Sequence, residues 1–139
     1  MTILDTNVVS EIMRQAPAPA VLRWISDQVS EELHITAITI AEIFYGIELL
    51  PRGKRQELLR AGAERLFQVV FRDSILTFDA RSAREFSVIA SSRRKQGRPM
   101  AEFDAQIAAI ARAKRAIVAT RDTGDFEGCG VRLVNPWEG

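Results

Sequence analysis

Short apolar runs alternate with amphipathic stretches along the whole chain. The first run, Thr2–Leu4 with Asp5 at its edge, reads as a strand. Asp5-Thr6-Asn7 then reads as a turn and helix cap leading into Val8–Arg14. Pro17 and Pro19 break the chain, and Val21, Leu22, Ile25 and Val29, widened by Trp24, mark a second helical face. A strand over His34–Ile38 follows. Thr39 then stands as N-cap to a helix over Ile40–Leu50, which Pro51-Arg52-Gly53 stops. A long amphipathic helix over Lys54–Val70 carries Leu58, Leu59, Leu66, Val69 and Val70 as its expected apolar stripe. Ile75–Phe78 is a third strand, and Asp79 caps a helix that runs to Gln96. Met100–Lys114 is a helix rich in alanine, whose small side chains allow close approach to a neighbour. Ala116–Thr120 has the β-branched content of a buried strand. A short helical turn over Thr123–Glu127 and a fifth strand over Val131–Val134 complete the pattern, with Asn135-Pro136 as its stop.

Strands alternating with helices favour a mainly parallel sheet flanked by helices, an α/β/α sandwich of about five strands. No internal repeat, linker or low-complexity segment interrupts residues 1–139, so the expectation is a single domain. A hydrophobic content of 47% in 139 residues suits one core.

Charge changes the picture only locally. The net charge of +1 does not by itself announce nucleic acid, and Arg93-Arg94-Lys95-Gln96-Gly97-Arg98 is the one dense basic run. One cysteine, Cys129, and one histidine, His34, exclude an internal disulfide, a thiolate zinc site and a multi-histidine metal centre. No apolar run approaches the roughly 20 residues that span a bilayer, and no basic segment precedes an apolar one at the N-terminus. A cytoplasmic protein is the expectation.

What remains are acids. Asp5 and Asp122 end apolar strands, while Glu42 and Asp104 stand near helix starts. In an open parallel sheet all four fall on the carboxyl edge, where such folds bind ligands. Each has a structural reading as well. Asp5 serves as a cap, although Thr6 or Asn7 beside it can do the same. Thr39-Ile40-Ala41-Glu42 matches a capping box. Asp104 suits a helix dipole, as Glu102 does, but only Asp104 shares a face with Ile107, Ala108 and Ala111. Asp122 caps the short turn at Thr123, with Asp125 as its rival for that role and for ligation. Gathering four anions opposes folding through repulsion and desolvation. A hard divalent cation, Mg²⁺ with Mn²⁺ as a substitute, reverses that sign.

These segments also resemble a known family. Ile3-Leu4-Asp5-Thr6-Asn7-Val8-Val9-Ser10-Glu11 is similar to the opening of PIN-domain ribonucleases of the VapC toxin type. Thr36 to Glu42 resembles their second motif, Asp104 to Ala111 the third, and Ala119 to Phe126 the fourth. Val134-Asn135-Pro136-Trp137 resembles the ending of the FitB-like subgroup. The resemblance implies a PIN-like α/β/α fold and Mg²⁺- or Mn²⁺-dependent endoribonuclease activity. It also implies a cognate VapB-like antitoxin as partner, and a homodimer is common among such toxins. Carried over motif by motif, Asp5, Glu42, Asp104 and Asp122 form the acidic site, Thr6 supports it, and Asp125 is the other candidate for the fourth ligand. Phe44, Tyr45 and Leu49 follow Glu42 on its helix as candidates for an antitoxin groove, with core packing as the competing fate.

Phosphodiester hydrolysis of RNA at a carboxylate-held cation needs no catalytic histidine, which suits this composition. Arg93, Arg94, Lys95, Arg98 and Arg121 are the candidates for holding the RNA backbone, against the plainer fate of a solvated surface. The competing class is a receiver-like regulatory module that binds Mg²⁺ without cleaving RNA. It calls for a lysine near the last strand, where Val131–Asn135 offers only Arg132. A phosphatase of Asp-x-Asp type is disfavoured because Asp5-Thr6-Asn7 lacks the second aspartate.

Overall fold

The computed structural model describes all residues from Met1 to Gly139. The strands are β1 (Thr2–Leu4), β2 (Leu33–Thr36), β3 (Ile75–Leu76), β4 (Ile117–Ala119) and β5 (Arg132–Val134). The helices are α1 (Thr6–Ile12), α2 (Pro19–Ser26), α3 (Ala37–Glu48), α4 (Lys54–Arg65), α5 (Ala80–Lys95) and α6 (Glu102–Lys114). The sheet runs β3-β2-β1-β4-β5 and every pairing is parallel. From β1 the chain moves outward through β2 to β3, then returns to the other side of β1 with β4. The order therefore reverses between β1 and β4, the position at which open parallel sheets form a binding crevice.

Period-2 alternation along the strands divides the core into two layers. Leu4, Ile35 and Ala119 face α1 to α4, packing with Val8, Val9, Val21, Trp24, Ile43, Ile47 and Phe67. Ile3 and Val118 face α5 and α6, against Ile89, Ile107, Ala108 and Ala111. Those alanines are fully buried, so α6 lies close to the sheet and to α5. The three-layer parallel sandwich matches the expectation.

Three expectations fail in their details. The cap of α3 is Thr36, whose hydroxyl accepts from Thr39 N at 3.2 Å, so α3 begins at Ala37. Glu42 then lies in the second helical turn, and the expected capping box at Thr39 does not form. The stripe expected of the fourth helix is only partly inward, with Leu59 and Leu66 packed against the core. Leu58, Val69 and Val70 are 62%, 66% and 64% exposed, and the buried positions are Gln56, Ala63 and Phe67. Gln56 turns inward because its amide donates to the carbonyls of Ile47 and Leu50, closing the end of α3. Beyond Arg65 the helix widens into a π-turn over Leu66–Val70. On α2, Leu22 is exposed, and Val29 lies beyond the helix and is exposed too.

Candidate active site

β1 ends at Leu4, and the next residue delivers Asp5 to the carboxyl edge. The Asp5 backbone N–H continues the ladder by donating to the Ala119 carbonyl at 2.9 Å, so the ends of β1 and β4 are locked in register. Asp5 is the N-cap of α1. Its Oδ1 accepts from Thr6 N at 2.8 Å and its Oδ2 accepts from the Thr120 hydroxyl at 2.7 Å. Thr120, fully buried, also accepts from Asp122 N at 3.1 Å and from Asn7 Nδ2 at 3.3 Å. The same Asn7 amide reaches Asp122 Oδ2 at 3.1 Å, while Asn7 Oδ1 accepts from Arg121 N at 3.4 Å. Thr120 and Asn7 thus tie the loop after β4 to the start of α1. The sequence offers Asn7 only as an alternative cap and gives Thr120 no role; a polar residue directly after β4 and close to Asp122 is the signal that marks Thr120.

Glu42 enters from α3. Its Oε1 accepts from the Thr6 hydroxyl at 2.7 Å, and Thr6 lies 2.9 Å from the Thr39 hydroxyl. With the Thr6 proton given to Glu42, Thr39 donates to Thr6, and a short relay fixes the carboxylate. Thr39, expected as a helix cap, serves here instead. Asp104 comes from the first turn of α6 and is half-buried. It accepts no hydrogen bond from the protein, so nothing in the fold depends on its oxygens.

Asp5, Thr6, Glu42, Asp104, Arg121 and Asp122 line one cleft of about 550 Å³, with Asn7, Glu11 and Trp137 on its walls. Asp125, exposed, is not on that wall, although its charge reaches Asp104. Glu102 is exposed and does not line the cleft.

The electrostatics are those of crowded anions. Burial pushes the Asp5 carboxyl up to about 6, against the lowering pull of its Thr120 and Thr6 hydrogen bonds, and the Glu42 and Asp122 charges add to the rise. Asp104 is likewise pushed up to about 6, by burial first and then by Asp5, Asp125 and Asp122. Glu42 is raised by burial and by Asp104, while its Thr6 hydrogen bond opposes the rise. Glu11 differs. The Ala18 backbone N–H holds it below the ordinary carboxylate range, with Arg14 alongside, so it fastens α1 to the approach to α2.

No three His, Cys, Asp or Glu side chains close in tightly enough to ligate an ion unaided. The donors are all oxygen and mutually repelling, with Asp5 buried, Glu42 and Asp104 half-buried and Asp122 exposed. That fits Mg²⁺, which keeps several waters and takes one or two carboxylates, better than a fully dehydrated cage. Asp5, Glu42, Asp104 and Asp122 are the acids on this cleft that could hold such an ion.

Of the basic residues, Arg121 lines the cleft while Arg94, Lys95 and Arg98 stay exposed at the end of α5 and beyond it. Arg93 does not serve as a surface contact for RNA. It is 4% exposed and donates to the carbonyls of Arg98, Asp125 and Glu127 at 2.8, 3.0 and 2.9 Å. It ties α5 to the loop that carries Asp122 and Asp125.

The site is an acidic crevice at the switch point of a small parallel sandwich, and comparison with known proteins gives its class. The PIN domain signature covers residues 2–128. Plasmid stability protein StbB of Pseudomonas syringae is 44% identical over 99% of both chains. VapC ribonuclease Y4jK of Sinorhizobium fredii is 38% identical over 99% of both. The crystal structure of FitAcB from Neisseria gonorrhoeae superposes with a TM-score of 0.89 at 39% identity, covering 100% of both chains. The chain belongs to the PIN-domain family, within its VapC-type ribonuclease toxins.

Proposed function

We infer that this protein is a divalent-cation-dependent endoribonuclease that acts as the toxin of a toxin–antitoxin pair. The observation that carries the reading is the convergence of Asp5, Glu42, Asp104 and Asp122 on one cleft at the carboxyl edge of β1 and β4. When bound, a Mg²⁺ or Mn²⁺ ion supplies Lewis-acid activation of water and neutralises charge at the phosphate. Asp5 and Asp104 hold it, with Asp122 rather than Asp125 as the further acid, because Asp122 lines the cleft and is aimed by Asn7. Thr6 orients Glu42, leaving the second carboxylate oxygen of Glu42 to hold a water at the cleft. Arg121 adds a positive charge beside the acids for the phosphodiester backbone.

Tyr45 on α3, Leu49 at its end, Leu58 on α4 and Val69 and Val70 just beyond it are exposed apolar side chains that an antitoxin would cover. Phe44 belongs to the core instead, edge-on to Phe67 at 5.6 Å. No helix is long and apolar enough to cross a membrane.

Incubation of the purified chain with single-stranded RNA tests the reading. Cleavage in Mg²⁺ or Mn²⁺, abolished by excess chelator and restored by added metal, is expected. Undiminished cleavage in chelator would contradict it.

A further inference from the structure

Arg121 sits in an unusual way for a cation in an acidic cleft. It lies between Thr120 and Asp122 and is exposed, yet it enters no salt bridge and its guanidinium donates to nothing in the protein. Instead, the guanidinium carbon lies over the Trp137 ring, 5.1 Å from its centroid. This pose is built by the backbone on both sides. Asn7 accepts from Arg121 N, and Asn135 donates to the Arg121 carbonyl at 3.5 Å. Asn135 Oδ1 also accepts from Trp137 N at 2.9 Å, so one side chain fixes both halves of the stack. Trp137 is partly buried against the core, which gives the stack a rigid floor. Both residues line the cleft that holds the four acids.

A planar cation backed by an aromatic ring, with its donors free, is a surface on which a nucleobase stacks while the adjoining phosphate takes the charge. We propose that Arg121 and Trp137 form a stacking platform for one unpaired nucleotide next to the cleaved bond. The proposal rests on the ribonuclease reading. Duplex RNA keeps its bases inside the helix and cannot use such a platform. Arg121 and Trp137 are thus substrate-positioning residues, separate from the acids that support the chemistry.

The test measures binding of a short single-stranded RNA to the cleavage-dead Asp104→Asn protein in Mg²⁺. Trp137→Ala and Arg121→Lys in that background are each expected to weaken binding by about fivefold or more, the scale of one lost base stack. Trp137→Phe, which keeps an aromatic floor, stays within about threefold on the same scale. An abasic site stepped along the RNA lowers affinity at one position for the parent and at none for Trp137→Ala. RNA binding quenches tryptophan emission in the parent and not in Trp137→Phe, because the other tryptophan, Trp24, is buried. Arg121→Lys at full affinity, or a flat abasic scan in a chain that still cleaves RNA, overturns the platform and leaves the nuclease standing. A chain that neither binds nor cleaves RNA in Mg²⁺ overturns the ribonuclease reading and the platform with it.

Discussion

Among the four acids, Asp104 separates function from packing most cleanly. Asp5 caps α1 and accepts from Thr120, Glu42 accepts from Thr6, and Asp122 accepts from Asn7, so removing any of them also removes a hydrogen bond of the fold. Asp104 has only burial and repulsion acting on it. Asp104→Asn is therefore expected to reduce RNA cleavage by about 100-fold or more, the scale of losing one electrostatic contributor in an active site. The metal-free melting temperature of the same variant stays unchanged or rises. Loss of folding would mark Asp104 as structural. Arg93 behaves in the opposite way. Arg93→Ala takes the buried charged donor away from three part-buried carbonyls, and urea denaturation is expected to find about 3 kcal/mol of lost stability. An unchanged midpoint would return Arg93 to the surface role that its basic neighbours suggest.

Each secondary element owes its position to a local choice that the sequence displays to different degrees. The five strands and the order of the helices were legible, because apolar runs of β-branched residues and helical spacing are strong signals and the two alternate regularly. The four acids were legible because strand ends of a parallel sheet share one edge. What stayed hidden were polar side chains that turn inward to satisfy backbone groups. Gln56 displaces Leu58 from the inner face of α4 by capping the end of α3, and Arg93 is buried to satisfy the loop after β4. Thr36 and Thr39 are both plausible caps, and only the strand's end at Thr36 decides between them. Hydrophobic counting cannot weigh these choices, since they depend on which carbonyls a distant segment leaves open. The alanine face of α6 makes the reverse case, in which small side chains did predict close packing. Ala108→Leu pushes a larger side chain into a fully buried position, and overpacking of about 1–3 kcal/mol is expected by thermal unfolding. A substitution without effect would mean that α6 stands away from the sheet.

At the scale of the whole molecule, the fold carries an electrostatic strain that a cation relieves. Asp5 and Asp104 ionise near pH 6 in the metal-free folded chain, against 3.8 for an ordinary aspartate. The native state therefore binds more protons than the unfolded state between those values. The contribution of Asp5 and Asp104 to metal-free stability is fully present below about pH 4, is lost as pH rises towards about 6, and stays lost beyond it. Buried Asp5 alone accounts for about 3 kcal/mol of that loss. Melting curves in chelator across this range check the sign, and a rise in stability between pH 4 and 6 would refute the assignment. Cleavage follows the inverse trend, failing as the pH drops below 6 and the acids take up protons that compete with the metal.

The most direct measurement is the melting temperature of the native chain and of Asp104→Asn at neutral pH, each titrated with Mg²⁺. Without metal the variant melts at the same temperature or higher; with rising Mg²⁺ the native chain gains stability and overtakes a variant that gains little. Two parallel curves, or a native chain indifferent to Mg²⁺, would mean that these oxygens hold no ion and that the cleft does not cleave RNA by the route described.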